Sequence, residues 1–126
     1  MKRAWIALAI LLTVLAGTLC HSFYIERFTG NLIQLLELAE SRAEAGEWDL
    51  AERLSQTAHE KWDKKDGYLH VLLRHSDTDQ IYMGFYEVEE FLQRQEDGEY
   101  SAANAKLIAQ LELLSEAEQL SLKNLF

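Results

Sequence analysis

Apolar residues run continuously at the start of the chain and periodically afterwards. From Ala4 to Ile25, 22 residues pass without a Lys, Arg, Asp or Glu. A helix of that length is about 33 Å long, against a bilayer hydrocarbon core of about 30 Å. The spacing then changes to steps of three and four. Phe28, Leu32, Leu35, Leu36, Ala39 and Ala43 predict a helix with one inward face. Gly30-Asn31 predicts a kink in it, and Gly46 its end. A second helix is expected over about Trp48 to Lys64, with Leu50 or Ala51, Leu54, Ala58 and Trp62 inward and Gly67 closing it. Tyr68 to Arg74 reads as a separate apolar segment of one or two turns. Ser76 would cap a third helix carrying Ile81, Phe85, Val88 and Leu92, which stops near Gly98. A fourth starts near Tyr100, with Ala103, Leu107, Leu111 and Leu114 inward. Ser115-Glu116-Ala117-Glu118 matches a capping box and predicts a restart into a short final helix, docked through Leu122, Leu125 and Phe126.

The fold class that follows is all-α: an N-terminal transmembrane helix, then a small antiparallel bundle of about four helices made of two helical hairpins. Residues 1–25 form a cytoplasmic stub and signal-anchor, and residues 26–126 an extracytoplasmic domain. Basic residues before the apolar run, Lys2 and Arg3, place the N-terminus in the cytoplasm. A cleaved secretory signal has the same outline. The cleavage sites here are poor, however, as at Ala16-Gly17-Thr18, and Leu19 stands where a lipoprotein signal would put a small residue before Cys20. Ser22, Phe23 and Tyr24 suit the headgroup layer. Retention as an anchor is therefore the expectation, with a cleaved, secreted helical binding module as the alternative.

Composition narrows the partners. The formal net charge is −9, and the two basic residues ahead of the apolar run leave the rest more acidic still. An acidic body repels phosphate backbones, so no nucleic acid is expected, nor a face lying flat on anionic lipid. Cys20 is the one cysteine, so no intramolecular disulfide can form. Proline is absent, which agrees with long helices.

The sequence also echoes itself. Gly46-Glu47-Trp48 and Ala51 recur 52 residues on as Gly98-Glu99-Tyr100 and Ala103, and Arg42 and Glu44 match Arg94 and Glu96. Each copy reads as helix, glycine turn, aromatic, small alanine, helix. Tetratricopeptide hairpins repeat at about 34 residues, which disfavours a solenoid.

Candidate chemistry is sparse. His59, His70, His75 and Asp77 are the only cluster with metal-ligand character, and His59-Glu60-x-x-Asp63 falls one residue short of the zinc motif His-Glu-x-x-His. Surface and loop histidines account for the same residues, and helix capping accounts for Asp77 and Asp79. No nucleophile elbow or phosphate-cradling glycine loop is present, and no enzyme activity or cofactor is expected. The third helix is unusually aromatic. Tyr82, Phe85 and Tyr86, beside Ile81, Val88 and Phe91, give it an apolar face wider than a small bundle can cover, which points to a protein-binding surface.

The run Trp48…Ala51…Ala58…Trp62, the stretch His75-Ser-Asp-x-Asp before a helix, and the ending Leu120-Ser-Leu-Lys-Asn124-Leu-Phe resemble an uncharacterised bacterial family of short proteins, a domain of unknown function. The resemblance implies one N-terminal span followed by about a hundred helical residues, and it implies no catalytic residue. The functional expectation is a non-catalytic interaction, assembly or regulatory module in the cell envelope. It would be held in the cell membrane through Ala4 to Ile25 and would bind another membrane or envelope protein, or a second copy of itself. The rival is a metal-binding protein or metal-dependent enzyme built on the histidines.

Overall fold

Four helices account for nearly all of the described residues: α1 (Lys2–Glu44), α2 (Trp48–Leu72), α3 (His75–Gln93) and α4 (Asp97–Leu125). In this computed structural model the backbone is described for residues 1–72 and 75–125, and side chains for residues 1–65 and 78–120. No strand occurs among the described residues.

α1 packs on α2 and α4, and α3 packs on α2 and α4, so the helices close a ring in chain order. Neighbours run antiparallel. Along α1, Tyr24 and Phe28 meet Lys65 and Trp62 of α2, while His21, Leu36 and Glu40 meet Glu118, Asn104 and Ser101 of α4. The expected inward residues fill the centre. Leu32, Leu36, Ala39, Ala43, Ala51, Ala58, Trp62, Ile81, Phe85, Val88, Leu92, Ala103, Leu107, Leu111 and Leu114 are buried, and Leu50 turns outward in favour of Ala51. Tyr100 and Ile25 join them. α3 and α4 approach closely at Gly84, where an added Cβ would lie 2.9 Å from Leu107 Cδ1.

The helices are longer than their sequence signals. α1 is unbroken through Gly30-Asn31 and extends about 65 Å. A helical glycine costs about 1 kcal/mol, and packing on both sides offsets it, with Thr29 and Leu32 buried next to it. The Thr29 hydroxyl donates back to the Ile25 carbonyl at 2.9 Å, sharing that acceptor with its own helical N–H and so meeting its need for a partner inside the bundle. α2 passes Gly67 and takes in most of the segment read as separate. α3 begins at His75, ahead of the expected Ser76 cap. α4 begins at Asp97 and runs through Ser115 to Leu125 without a restart. The docking of Leu122, Leu125 and Phe126 lies outside the described side chains.

Both reversals at the far end are Schellman turns. Gly46 N–H donates to the Ala43 carbonyl and Glu47 N–H to that of Arg42, at 3.0 and 2.9 Å. Gln95 N–H and Glu96 N–H repeat this on Leu92 and Phe91, both at 3.1 Å. The left-handed residues are Gly46 (φ 83°) and Gln95 (φ 54°). The internal echo is therefore real in structure but displaced. Gly46 corresponds to Gln95 rather than to Gly98, which lies inside the first turn of α4. Trp48 and Tyr100 do not cover separate turns. They pack edge to face on each other, ring centroids 6.3 Å apart, and join the two turns at one end of the bundle.

Candidate functional site

Two surface features stand out against this frame. One is an aromatic cluster on the α2–α3 face, and the other a groove between α3 and α4.

His59 forms the centre of the cluster. Ala58 and Trp62 bind α2 to the core, which sets His59 at the edge of the core facing α3. Its ring lies parallel to Phe85 with centroids 5.0 Å apart, and Tyr86 meets it edge-on at 5.2 Å. Such aromatic pairs add about 0.5–1.5 kcal/mol each beyond area burial. Nδ1 lies 2.8 Å from Glu89 Oε1. A carboxylate only accepts, so Nδ1 carries the proton. Nε2 lies 3.5 Å from Asp63 Oδ2 without forming a hydrogen bond.

This geometry bears on the metal expectation. The two carboxylates sit at opposite nitrogens of one imidazole, so they cannot converge with a single nitrogen on one ion. Among the described residues no group of three metal-ligating side chains comes together. The side chains of His70, His75 and Asp77 lie outside the described residues. The structure gives His59 a structural role, tying α2 to α3 through a ring stack and one charge-assisted hydrogen bond.

The expected protein-binding face divides in two. Tyr82 and Tyr86 are on the surface, 40% and 50% exposed, with the Tyr82 hydroxyl donating to that of Tyr86 at 3.1 Å. Phe85 is wholly buried against His59 and Trp62. It supports the patch from beneath and can touch no partner while the bundle is folded. Two residues at i and i+1 on a helix lie about 100° apart, and the boundary between core and surface falls between them.

On the other side of α3 a groove of about 360 Å³ is lined by Met83, Gly84, Glu87, Lys106, Leu107 and Gln110, among others. Gly84 forms its floor, and Met83 is 65% exposed at its rim. It contains no nucleophile paired with a base.

Two polar features of the interior have little signal in the sequence. The Asn104 amide donates to the Leu36 carbonyl of α1 at 3.1 Å, a buried cross-helix bond. Its position four residues after Tyr100, inside an apolar stripe, was the visible clue. Tyr100 is buried with the Ser55 hydroxyl beside its own, the two falling short of a well-formed hydrogen bond. Burial raises the Tyr100 phenol well above its ordinary range, the charges of Glu40 and Glu44 add to this, and Ser55 offsets part of it. The pairing of His59 with Glu89 joins residues thirty apart on different helices, and no local pattern announces it.

Comparison with curated proteins and with solved structures finds no match. A family model described as a domain of unknown function (DUF4363) matches residues 19–125. The match begins one turn before Ser22, the first buried residue of α1, and covers the whole bundle. The chain belongs to the DUF4363 family.

Proposed function

We propose that this chain is a single-pass membrane protein, N-terminus cytoplasmic, whose four-helix bundle stands outside the membrane as a non-catalytic interaction or assembly module of the cell envelope. The observation that carries the reading is the first half of α1. Its large apolar side chains, Trp5, Ile6, Leu8, Ile10, Leu11, Leu12 and Val14, are all exposed, and the helix is apolar enough to cross a bilayer. Exposed apolar surface on that scale calls for lipid. The basic residues Lys2 and Arg3 favour a cytoplasmic start. The interaction role draws on the exposed Tyr82–Tyr86 pair and on the adjoining Met83. Anchoring favours a partner in the same membrane, because confinement raises the effective concentration.

A cleaved signal is the second reading, favoured by one observation. The fully buried residues of α1 begin at Ser22 and Ile25, so the bundle keeps most of its packing if the residues before Cys20 are removed. One experiment separates the two. Cross-linking from intact membranes, with mass spectrometry of the captured proteins and of this chain's N-terminus, should recover an intact Met1–Ile25 segment and a membrane protein whose capture falls when Tyr82 and Tyr86 are both replaced by Ser. A mature chain starting after Cys20 would replace the anchor with a secreted module. Capture unaffected by the double substitution would remove the tyrosine pair from the interface.

A further inference from the structure

The groove between α3 and α4 is the middle of a longer trough. Two further hollows of about 250 Å³ adjoin it, one sharing Gln80 and Gln110 and the other sharing Glu87, Ala103 and Lys106. Together they follow α4 from Glu99 to Ala117, about 27 Å along the helix. Met83 and Leu113 are exposed along it. Its walls are low, because Gly84, Ala102 and Ala103 supply no long side chain. Glu87 of α3 and Lys106 of α4 stand at one level, since both line the same two hollows, with Asp79 and Glu99 to either side of them. Neither Glu87 nor Lys106 has an ion-pair partner among the described residues. One face of the bundle thus offers an unpaired acid on one helix and an unpaired base on the next.

We infer that this face binds a second copy of the chain, about a two-fold axis along the membrane normal. The inference rests on the anchored reading above. Two anchored copies enter the membrane in the same sense, so a closed pair of them is related by an axis of that direction. Turning one copy by half a circle about that axis sets its α4 opposite the other's α3 and leaves every residue at its own level. Glu87 of each copy therefore meets Lys106 of the other, and both pairs form at once. Met83 of each copy is covered by the other's α4. A purely basic helix laid in the trough would oppose Lys106, and a purely acidic one would oppose Glu87, whereas a second copy answers both. Each copy carries a formal net charge of −9. Salt screens that repulsion beyond about 8 Å, and confinement in one membrane favours contact. Tyr82 and Tyr86 lie on the α2 side of α3, against His59, and stay open to a different protein.

Energy transfer between full-length chains in phosphatidylcholine–phosphatidylglycerol vesicles tests this, with donor or acceptor carried on Cys20, which is exposed. The natural chain should show transfer above that of randomly placed chains. Glu87 and Lys106 are exposed, so Glu87→Lys and Lys106→Glu should leave the melting temperature unchanged. Each reversal turns two attractive contacts into repulsive ones and should weaken self-pairing about tenfold. The two variants mixed, donor on one and acceptor on the other, should pair as tightly as the natural chain, and so should the double variant. Only a second copy in the trough predicts that rescue. Self-pairing that ignores both reversals would overturn the trough as the interface. Transfer no higher than random in the natural chain, when that chain resists alkaline extraction, would overturn the second copy and leave the anchor standing. Release by alkaline extraction would overturn the anchor, and the two-fold pair with it.

Discussion

The two halves of α1 use the same residue types in opposite arrangements. Before Cys20 the apolar side chains project on every side of the helix and, apart from the half-buried Leu15, the large ones stay exposed. After Ser22 most of them collect on one stripe, in which Ile25, Leu32, Leu36, Ala39 and Ala43 are buried, while Phe23 and Leu38 stay exposed. The second half is held by protein and the first is not. Hydrophobic content therefore does not decide which half joins the core. Periodicity does, because only a stripe at three- and four-residue steps can be buried by two neighbouring helices while charged residues keep to water.

That contrast can be broken with a matched pair of charges. Leu36→Arg puts an unpaired guanidinium at a wholly buried position and should cost more than about 3 kcal/mol, enough to unfold a bundle of ordinary stability. Leu12→Arg should leave the bundle's thermal melting in detergent unchanged, while costing roughly 2.5–3.5 kcal/mol of membrane insertion. Circular dichroism melts and alkaline extraction read the two effects. Similar melting losses in both variants would mean that the halves are not independent.

Phe85→Ala comes next in size. It opens a cavity beneath His59 and against Trp62 and should lower stability by about 3–5 kcal/mol in urea titration. A smaller loss, with partner capture abolished, would return Phe85 to the surface.

Gln95→Gly sharpens a second comparison, that of the two Schellman turns. Gly46 adopts φ 83° freely, whereas Gln95 holds φ 54° with a side chain attached. The substitution should raise stability by about 1 kcal/mol, and Gly46→Ala should lower it by a similar amount. Midpoint shifts of unequal size in the two variants would show that the turns are strained differently.

Tyr100→Phe has the smallest expected effect at neutral pH. The hydroxyl is buried with only the poorly aligned Ser55 hydroxyl beside it, so its removal should change stability by no more than about 1 kcal/mol in either direction. The difference grows in alkali. A phenol whose folded pKa is raised favours folding only while the unfolded chain also holds the proton. Stability contributed by Tyr100 is therefore present below about pH 10 and lost as pH rises above it. The Phe variant should show a shallower alkaline decline in melting temperature.

Most of the fold could be read in the sequence, because the signals that specify it are local and repeated. The stripes of α3 and α4, from Ile81 to Leu92 and from Ala103 to Leu114, face inward as their spacing predicts. Helix ends were harder. Gly30, Gly67 and Ser115 are weak breaks worth about 1 kcal/mol or less each, and contacts from other helices override them. The opposite error occurred at Gln95, where the turn forms without glycine because two reversed hydrogen bonds and the packing of both hairpins fix it. The aromatic cluster was legible as composition but not as geometry. The sequence grouped Tyr82, Phe85 and Tyr86, and only the helix positions show that the middle one is core. Glu89 as the partner of His59 could not be foreseen, since their meeting depends on how α2 and α3 pack.

An unbroken α1 fixes angle as well as height. Each residue turns a helix by about 100°, and nothing between Lys2 and Glu44 lets one end rotate against the other. The direction in which Ala9, Thr13 and Gly17 face is therefore locked to the direction in which Tyr82 and Tyr86 face. A neighbour that grips one side of the first half of α1 thereby chooses the compass bearing of the tyrosine patch. One residue inserted near Gly17 would turn that patch by over a quarter of a circle while leaving the composition of both faces intact.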